Sequence, residues 1–496
     1  LQRVISKMKG GEFFEMGIRE KFDHFIGNEF VRPDAGNYME SINPSDRTVF
    51  AKIAAGNSAD INKAVSTAKS ACIAWADLRP FERGKILSAI GRELEKQLEN
   101  FAEVESLEMG VPLDGAKGTL LTASNYMQFY GGIAGSLQGE NIQVGPGQHS
   151  YTVHEPYGVV GVITPWNAPL NQACRSIAPA LAAGNCVVHK PSEYTSSTAL
   201  MFAELASSCG LPKGVLNVVT GNGSETGEAL VKHNDVGKVA FTGSQATGKA
   251  VAKIGAEKVM PVTLEMGGKS PDIIFEDADL ESAVVGAMFG FVANSGQVCL
   301  AGTRILVQRS IQEKFTKAMV GAIKSIPLGI NNPFPTLGPL ANEDQFNKVL
   351  EYFEIAREEG ATLLAGGSRA TDGDLKKGFY VEPTLYADVE NSMRISQEEI
   401  FGPVGVILPF DTEEEAIALA NDTEFGLAAG IWTKDVGRAH RVAAQIKAGQ
   451  IYVNYYLEGS VEHPLGGYKK SGIGREKGVV AMYEYTQLKN VIINLQ

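Results

Sequence analysis

Tyr157-Gly-Val-Val-Gly-Val-Ile-Thr-Pro-Trp-Asn167 is the stretch on which the reading of this 496-residue chain turns. Gly158 to Thr164 is an apolar run rich in β-branched valine and isoleucine, and Pro165 stops it. Four more such runs follow: Cys186–His189, Val215–Thr220, Lys238–Thr242 and Pro261–Glu265. Turn residues and helical stretches separate them. Lys190-Pro-Ser-Glu193 leads into a helix over Thr195–Cys209, Gly221-Asn-Gly223 into a second and Gly243-Ser244 into a third. Short buried strands alternating with helices predict a parallel, doubly wound α/β sheet. Ligands of such sheets bind beyond the carboxyl ends of the strands. Asn167, Lys190, Glu193, Ser244 and Glu265 all fall there.

Upstream, Phe25-Ile-Gly-Asn-Glu-Phe-Val31 reads as a hairpin turning at Gly27-Asn28. Helical spacing runs from Ala59 through Trp75, and again from Arg83 to Met109, where Gly110 ends it. Downstream, Leu280–Ala293 is an apolar helix entering the segment of Cys299. A strand is expected at Arg304–Gln308, helices at Gln312–Lys324 and Asn347–Glu359, and strands at Val404–Pro409 and Gly430–Thr433.

A chain this long buries large cores and divides into at least two domains. Its 44% hydrophobic and 21% charged content suits a soluble α/β enzyme. The net charge of −12 argues against nucleic-acid or anionic-membrane partners, which need a basic face. No stretch approaches the ~18 apolar residues of a membrane span. Leu1–Gly10 lacks the apolar core of a secretory signal, and a first residue of leucine leads us to expect a trimmed or incomplete terminus. Five cysteines lie far apart without zinc or disulfide spacing, so no metal site and a reducing, cytoplasmic setting are expected.

A lone cysteine is more often a small buried hydrophobe than a nucleophile, and Cys72, Cys174, Cys186 and Cys209 are read that way. Cys299 differs. A Gly-Gln turn precedes it after a helix, which could expose the sulfur and its own backbone N–H.

Thr164-Pro-Trp-Asn167, Lys190-Pro-Ser-Glu193, Phe241-Thr-Gly-Ser244, Glu265-Met-Gly-Gly268, Gly296-Gln-Val-Cys299, Glu399-Ile-Phe-Gly-Pro403 and Ser471-Gly-Ile-Gly-Arg-Glu476 come in that order. The set resembles the NAD(P)-dependent aldehyde dehydrogenase superfamily. The resemblance implies a Rossmann-type doubly wound cofactor domain (1–137 and 156–264), an α/β catalytic domain (265–468) and a β oligomerisation arm (138–155 and 482–496). The arm would make a homodimer or homotetramer.

The resemblance also implies roles that suit these residue types. Cys299, as thiolate, attacks the aldehyde carbon. The Asn167 amide and the Cys299 N–H hold the oxyanion, and one such donor is worth about 3 kcal/mol of barrier. Glu265 activates the water that hydrolyses the resulting thioester. Cofactor contacts fall on Thr164, Pro165, Trp166, Lys190, Ser192, Glu193, Gly223, Gly227, Phe241, Thr242, Gly243, Ser244, Glu399 and Phe401. Ser244 would cap a helix whose N-terminal N–H groups receive the pyrophosphate. Glu193 accepts from ribose hydroxyls and repels a 2′-phosphate, so NAD is expected in preference to NADP.

For the aldehyde tunnel the resemblance points to Ala168, Asn171, Gln172, Arg175, Val298, Leu300, Leu457, Glu458, Gly459 and Leu465. Ala168 and Gly459 are small, which implies a bulky or aromatic aldehyde. Arg175 could grip a carboxylate or phenolate, or could pair with a carboxylate of the chain itself. A semialdehyde with a distal acid is therefore the alternative substrate. Ser176 stands where many relatives have lysine, so a proton relay from Glu265 through Glu476 would differ. Two other readings are weighed. A CoA-acylating enzyme has no need of Glu265, and a catalytically retired binding protein has no need of Cys299, Asn167 and Glu265 together.

Overall fold

A computed structural model describes residues 19–330, 336–457 and 459–495. The opening ten residues and Glu458, both read from sequence above, lie outside them.

The five runs form a parallel core, β1 (Val159–Ile163), β2 (Cys186–Lys190), β3 (Leu216–Val218), β4 (Val236–Thr242) and β5 (Val262–Glu265). Their spatial order is β5-β4-β1-β2-β3. All four pairings are parallel, as near-continuously apolar strands buried on both faces require. Antiparallel pieces finish both edges. The hairpin His24–Ile26/Glu29–Val31 adds beside β3, and Gly472–Ile473 adds beside β5. Gly27 (φ 61) and Asn28 (φ 62) make the hairpin turn in the left-handed region that glycine and asparagine tolerate.

Helix α1 (Pro169–Ala182) follows β1, with Pro169 in its first turn, and α2 (Gln245–Lys258) follows β4. One large apolar core, holding Trp75, Phe101, Leu170 and Val188, joins this sheet to its helices. The expected helix over Arg83–Met109 is two, Pro80–Lys96 and Leu98–Met109, with Gln97 (φ −100, ψ 16) between them. Spacing could not reveal that break. Leu94 and Phe101 bury in one core, so the apolar stripe runs straight across it.

A second, seven-stranded sheet holds Arg304–Gln308 beside Pro271–Ile274 and Val404–Phe410, with apolar clusters on both faces. One of its helices, α3 (Glu343–Glu358), starts four residues before the expected Asn347. Its cap is Asn342, whose side chain accepts from Gln345 N at 2.9 Å. Finally, Thr486–Asn494 pairs antiparallel with Gln148–Pro156 along its whole length, leaving Leu488 and Ile492 exposed. Among the described residues no helix is long and apolar enough to cross a membrane.

Candidate active site

The carboxyl ends of β1, β2, β4 and β5 open on a cavity of about 340 Å³ bordered by Cys299, Asn167 and Glu265. Most of the residues read as cofactor contacts border it as well: Thr164, Pro165, Trp166, Lys190, Ser192, Glu193, Gly223, Phe241, Thr242, Gly243, Ser244, Glu399 and Phe401. Gly227 does not. It lies behind the wall, where an added Cβ would stand 4.0 Å from Lys190 Cδ.

Cys299 is delivered by a contorted bend. The helix Leu280–Val292 ends, and Asn294 (φ 52), Ser295 (φ 56) and Gly296 (φ 74) follow in succession with left-handed backbone. Two non-glycine residues in that region cost energy, and the surroundings must hold them. They do. Asn294 Nδ2 donates to Asn167 O at 2.7 Å, and Ser295 Oγ donates to Gly338 O at 2.8 Å. Ala341 N donates to Gln297 Oε1 at 2.9 Å. Gly296 lies on the backbone of Gly402, where a Cβ would come within 2.1 Å of its carbonyl.

Asn167 Nδ2 donates to Gln297 O at 2.8 Å. An amide carries two N–H donors, so one locks the cysteine turn and one is left for a ligand. The sulfur of Cys299 accepts from the Leu300 N–H, and burial pushes its thiol up to about 11. The Arg175 charge opposes that rise, while Glu265 and Glu399 add to it. Glu265 is buried with Oε1 unpartnered. Burial, and after it the charge of Glu476, drive its carboxyl well above the usual range; Arg175 and Arg475 pull the other way. The thiol therefore rests protonated at neutral pH, and burial favours the neutral form of Glu265.

Arg175 is buried in an ion pair with Glu476, and its second guanidinium arm donates to Thr242 Oγ1 at 3.1 Å. Ser176 Oγ donates to the other oxygen of Glu476 at 2.8 Å. Of the two expectations for Arg175, the observed one is pairing within the chain. None of Ala168, Arg175, Val298, Leu300, Leu457, Gly459 and Leu465 borders the cavity; Gln172 does. Val298 and Leu300 flank the cysteine, Ala168 precedes α1, and Leu465 is buried. Gly459 is exposed on a loop facing the helix Leu113–Ile133 across an open groove.

On the far wall, Lys190 Nζ lies 3.1 Å from Glu193 Oε2. Ser244 Oγ accepts from Thr247 N at 3.3 Å and caps α2. Gly243 packs on the Phe241 ring, which a Cβ would approach to 2.6 Å. Glu399 Oε1 accepts from Gly268 N at 3.0 Å, and Phe401 (φ 62) meets Trp166 edge to face at 5.4 Å. Sequence reasoning missed Gln345 and Lys348 of α3, which also border the cavity. Gln345 Nε2 donates to Ile400 O and Phe401 O at 2.9 Å, and Lys348 Nζ donates to Glu399 O at 2.8 Å. Three residues apart, they share one helix face, a signal hidden by the missed first turn.

The aldehyde dehydrogenase family model matches residues 30–491. The chain belongs to that family. It is 42% identical over 484 residues to a betaine aldehyde dehydrogenase of Brucella melitensis, spanning 97% of this chain and 99% of that one. A betaine aldehyde dehydrogenase of Sinorhizobium fredii is 44% identical over 483 residues, with the same coverage. Among solved structures, an aldehyde dehydrogenase of Bacillus cereus in complex with NAD+ superposes with a TM-score of 0.95 at 41% identity, covering 99% of this chain and 100% of that one. The enzyme is an oxidoreductase of aldehydes, built on the fold of its family. Among its described residues no cluster of His, Cys, Asp or Glu is arranged to hold a metal ion.

Proposed function

We propose that the enzyme oxidises an aldehyde to its carboxylic acid with NAD, through a covalent adduct on Cys299. The observation that carries this is the meeting of Cys299, Asn167 and Glu265 on one cavity that also holds the Lys190–Glu193 pair and the capped end of α2. The cavity suits a dinucleotide. Lys190 and Glu193 would hold the adenosine ribose, the N–H groups of α2 the pyrophosphate, and Glu399 with Phe401 the nicotinamide riboside. When bound, NAD supplies the acceptor for the hydride lost by the substrate. Glu193 favours NAD over NADP, because its carboxylate repels a 2′-phosphate.

The chain's own residues do the rest. Cys299 loses its proton to solvent water and adds to the aldehyde carbon, and the oxyanion is met by the free Asn167 N–H. Loss of hydride leaves a thioester. Glu265, once deprotonated, takes a proton from water, which attacks the thioester, releases the acid and returns the thiol. We assign residues 1–137 and 156–264 to cofactor binding and 265–468 to catalysis, with Gly472–Ile473 returning to the first sheet. Residues 138–155 and 482–496 form an arm whose exposed Leu488 and Ile492 suit a homodimer or homotetramer. All five cysteines are free, in keeping with a cytoplasmic setting.

For the substrate we favour an uncharged or anionic aldehyde of some bulk. Two relatives are named for betaine aldehyde, which bears a quaternary ammonium. Such a head is held by aromatic faces. Ala168, Val298, Leu300, Leu457 and Leu465 offer none, and the Lys477 ammonium beside Gly459 would repel it. Adding purified enzyme and NAD to aromatic, aliphatic, acidic and quaternary-ammonium aldehydes, and following reduced nicotinamide, tests both levels. Silence with every aldehyde overturns the reaction, and a strong preference for the ammonium compound overturns the substrate class.

A further inference from the structure

Lys477 directly follows Glu476 yet plays no part in the chemistry above. Its backbone is pinned on both sides. Glu476 and Leu465 exchange two backbone hydrogen bonds at 2.7 Å, and Gly478 N donates to Val461 O at 2.9 Å. That stitching holds Lys477 in the left-handed region (φ 60), where a lysine sits only under constraint. The side chain is 9% exposed, and its ammonium reaches the loop that begins at Gly459. A Cβ added to Gly459 would stand 3.9 Å from Lys477 Nζ.

Among the described residues this Nζ takes part in no hydrogen bond or ion pair, whereas Arg175 beside it is fully engaged by Glu476. A buried charge without a partner is costly, and burial accordingly lowers the Lys477 ammonium to about 8. Among the described residues, three charged groups face it. Glu462 and Glu476 attract it and Arg175 repels it. Glu462 is exposed and bonded to Ser460, and Glu476 is committed to Arg175 and Ser176. Outside Gly459 lies an open groove of about 490 Å³, walled by Thr122, Asn125 and Gln128 of the helix Leu113–Ile133. With hydrogen in place of a side chain at residue 459, nothing from that position covers the ammonium.

We propose that Lys477 is the subsite for a carboxylate at the far end of the aldehyde, reached through the gap at Gly459. The substrate is then an aldehyde acid whose carbonyl meets Cys299 while its distal carboxylate meets Lys477. This rests on the reading that the aldehyde approaches along the 457–465 loop.

The test compares kcat/KM for 4-carboxybenzaldehyde over benzaldehyde, and for 6-oxohexanoate over hexanal, in full-length enzyme with NAD. Wild type should favour at least one acid tenfold or more. Lys477→Gln should erase that preference through the KM of the acid, and Lys477→Arg should restore most of it. Gly459→Leu, which keeps the lysine but covers it, should lower the preference as Lys477→Gln does. The leucine has space, because the nearest atoms to a Cβ there are 3.6 Å or more away. Equal use of acids and neutral aldehydes by wild type, or a preference unmoved by Lys477→Gln, overturns the subsite and leaves the proposed reaction standing. If Lys477→Gln does not fold, Gly459→Leu decides, and an unmoved preference there overturns the subsite as well. Failure to oxidise any aldehyde instead removes the reaction itself.

Discussion

The proposed dinucleotide side and the proposed aldehyde side of this site are built by different means. The first is made of strand ends, a helix N-terminus and glycine turns, so its groups follow their motifs at short range: Lys190 and Glu193 are three residues apart, and Ser244 caps the helix it precedes. The second, as proposed, draws on α1, the turn before Cys299, residues 459–465 and the segment after Ser471, which meet only in the folded chain. Arg175 and its partner Glu476 are 301 residues apart. Backbone recognition is tied to the fold, whereas side-chain recognition is free to drift, and substrate class is where members of one fold diverge.

The largest effect expected where the two sides meet is that of Cys299→Ser. Reduced nicotinamide should fall by on the order of 10⁴ or more with every aldehyde; undiminished production would break the whole scheme. Glu265→Gln should separate the halves of the reaction. A burst of about one nicotinamide per subunit, then a steady rate lowered by roughly 10²–10⁴, is the outcome of losing the base for water. A lowered rate without a burst would place Glu265 before hydride loss. Asn167→Ala removes an oxyanion donor and a lock on the cysteine turn, so kcat should drop ~10²–10³.

The thiol supplies a pH test. It is pushed up to about 11, so its reactive thiolate is scarce at neutral pH and grows tenfold per pH unit until then. Iodoacetamide labelling of the cofactor-free enzyme should keep accelerating well past the ordinary thiol value of about 8.5. A plateau near 8.5 would show that Arg175 outweighs burial. The smallest change sharpens the contrast from the dinucleotide side. Glu193→Ser should improve kcat/KM for NADP roughly tenfold by removing like-charge repulsion, without altering the ranking of aldehydes. A reordered ranking would mean that the two sides are coupled.

The parallel core was legible because its five apolar runs are short, β-branched and punctuated by Pro165, Gly221 and Gly243. The meeting of Cys299, Asn167 and Glu265 on one cavity was legible because each lies inside a motif. Elsewhere the sequence misled for physical reasons. The break at Gln97 carries no Gly or Pro and both helices bury one stripe, so periodicity joined them. Asn342 was passed over as a cap, which hid the face of α3 that props up Glu399 and Phe401. Arg175 alone could not say whether its carboxylate would come from a ligand or from the chain, and Lys477 gave no signal at all. Its burial is created by contacts with residues 461–465 that only tertiary structure brings about.

The seat of Gly296 on the carbonyl of Gly402 has a mechanical consequence. The turn bearing the sulfur and the segment bearing Glu399 and Phe401 cannot shift independently, since no slack separates their main chains. The proposed nucleophile and the proposed nicotinamide anchor would thus move as one body. On that proposal, one main-chain contact sets the gap between attacking atom and electron acceptor.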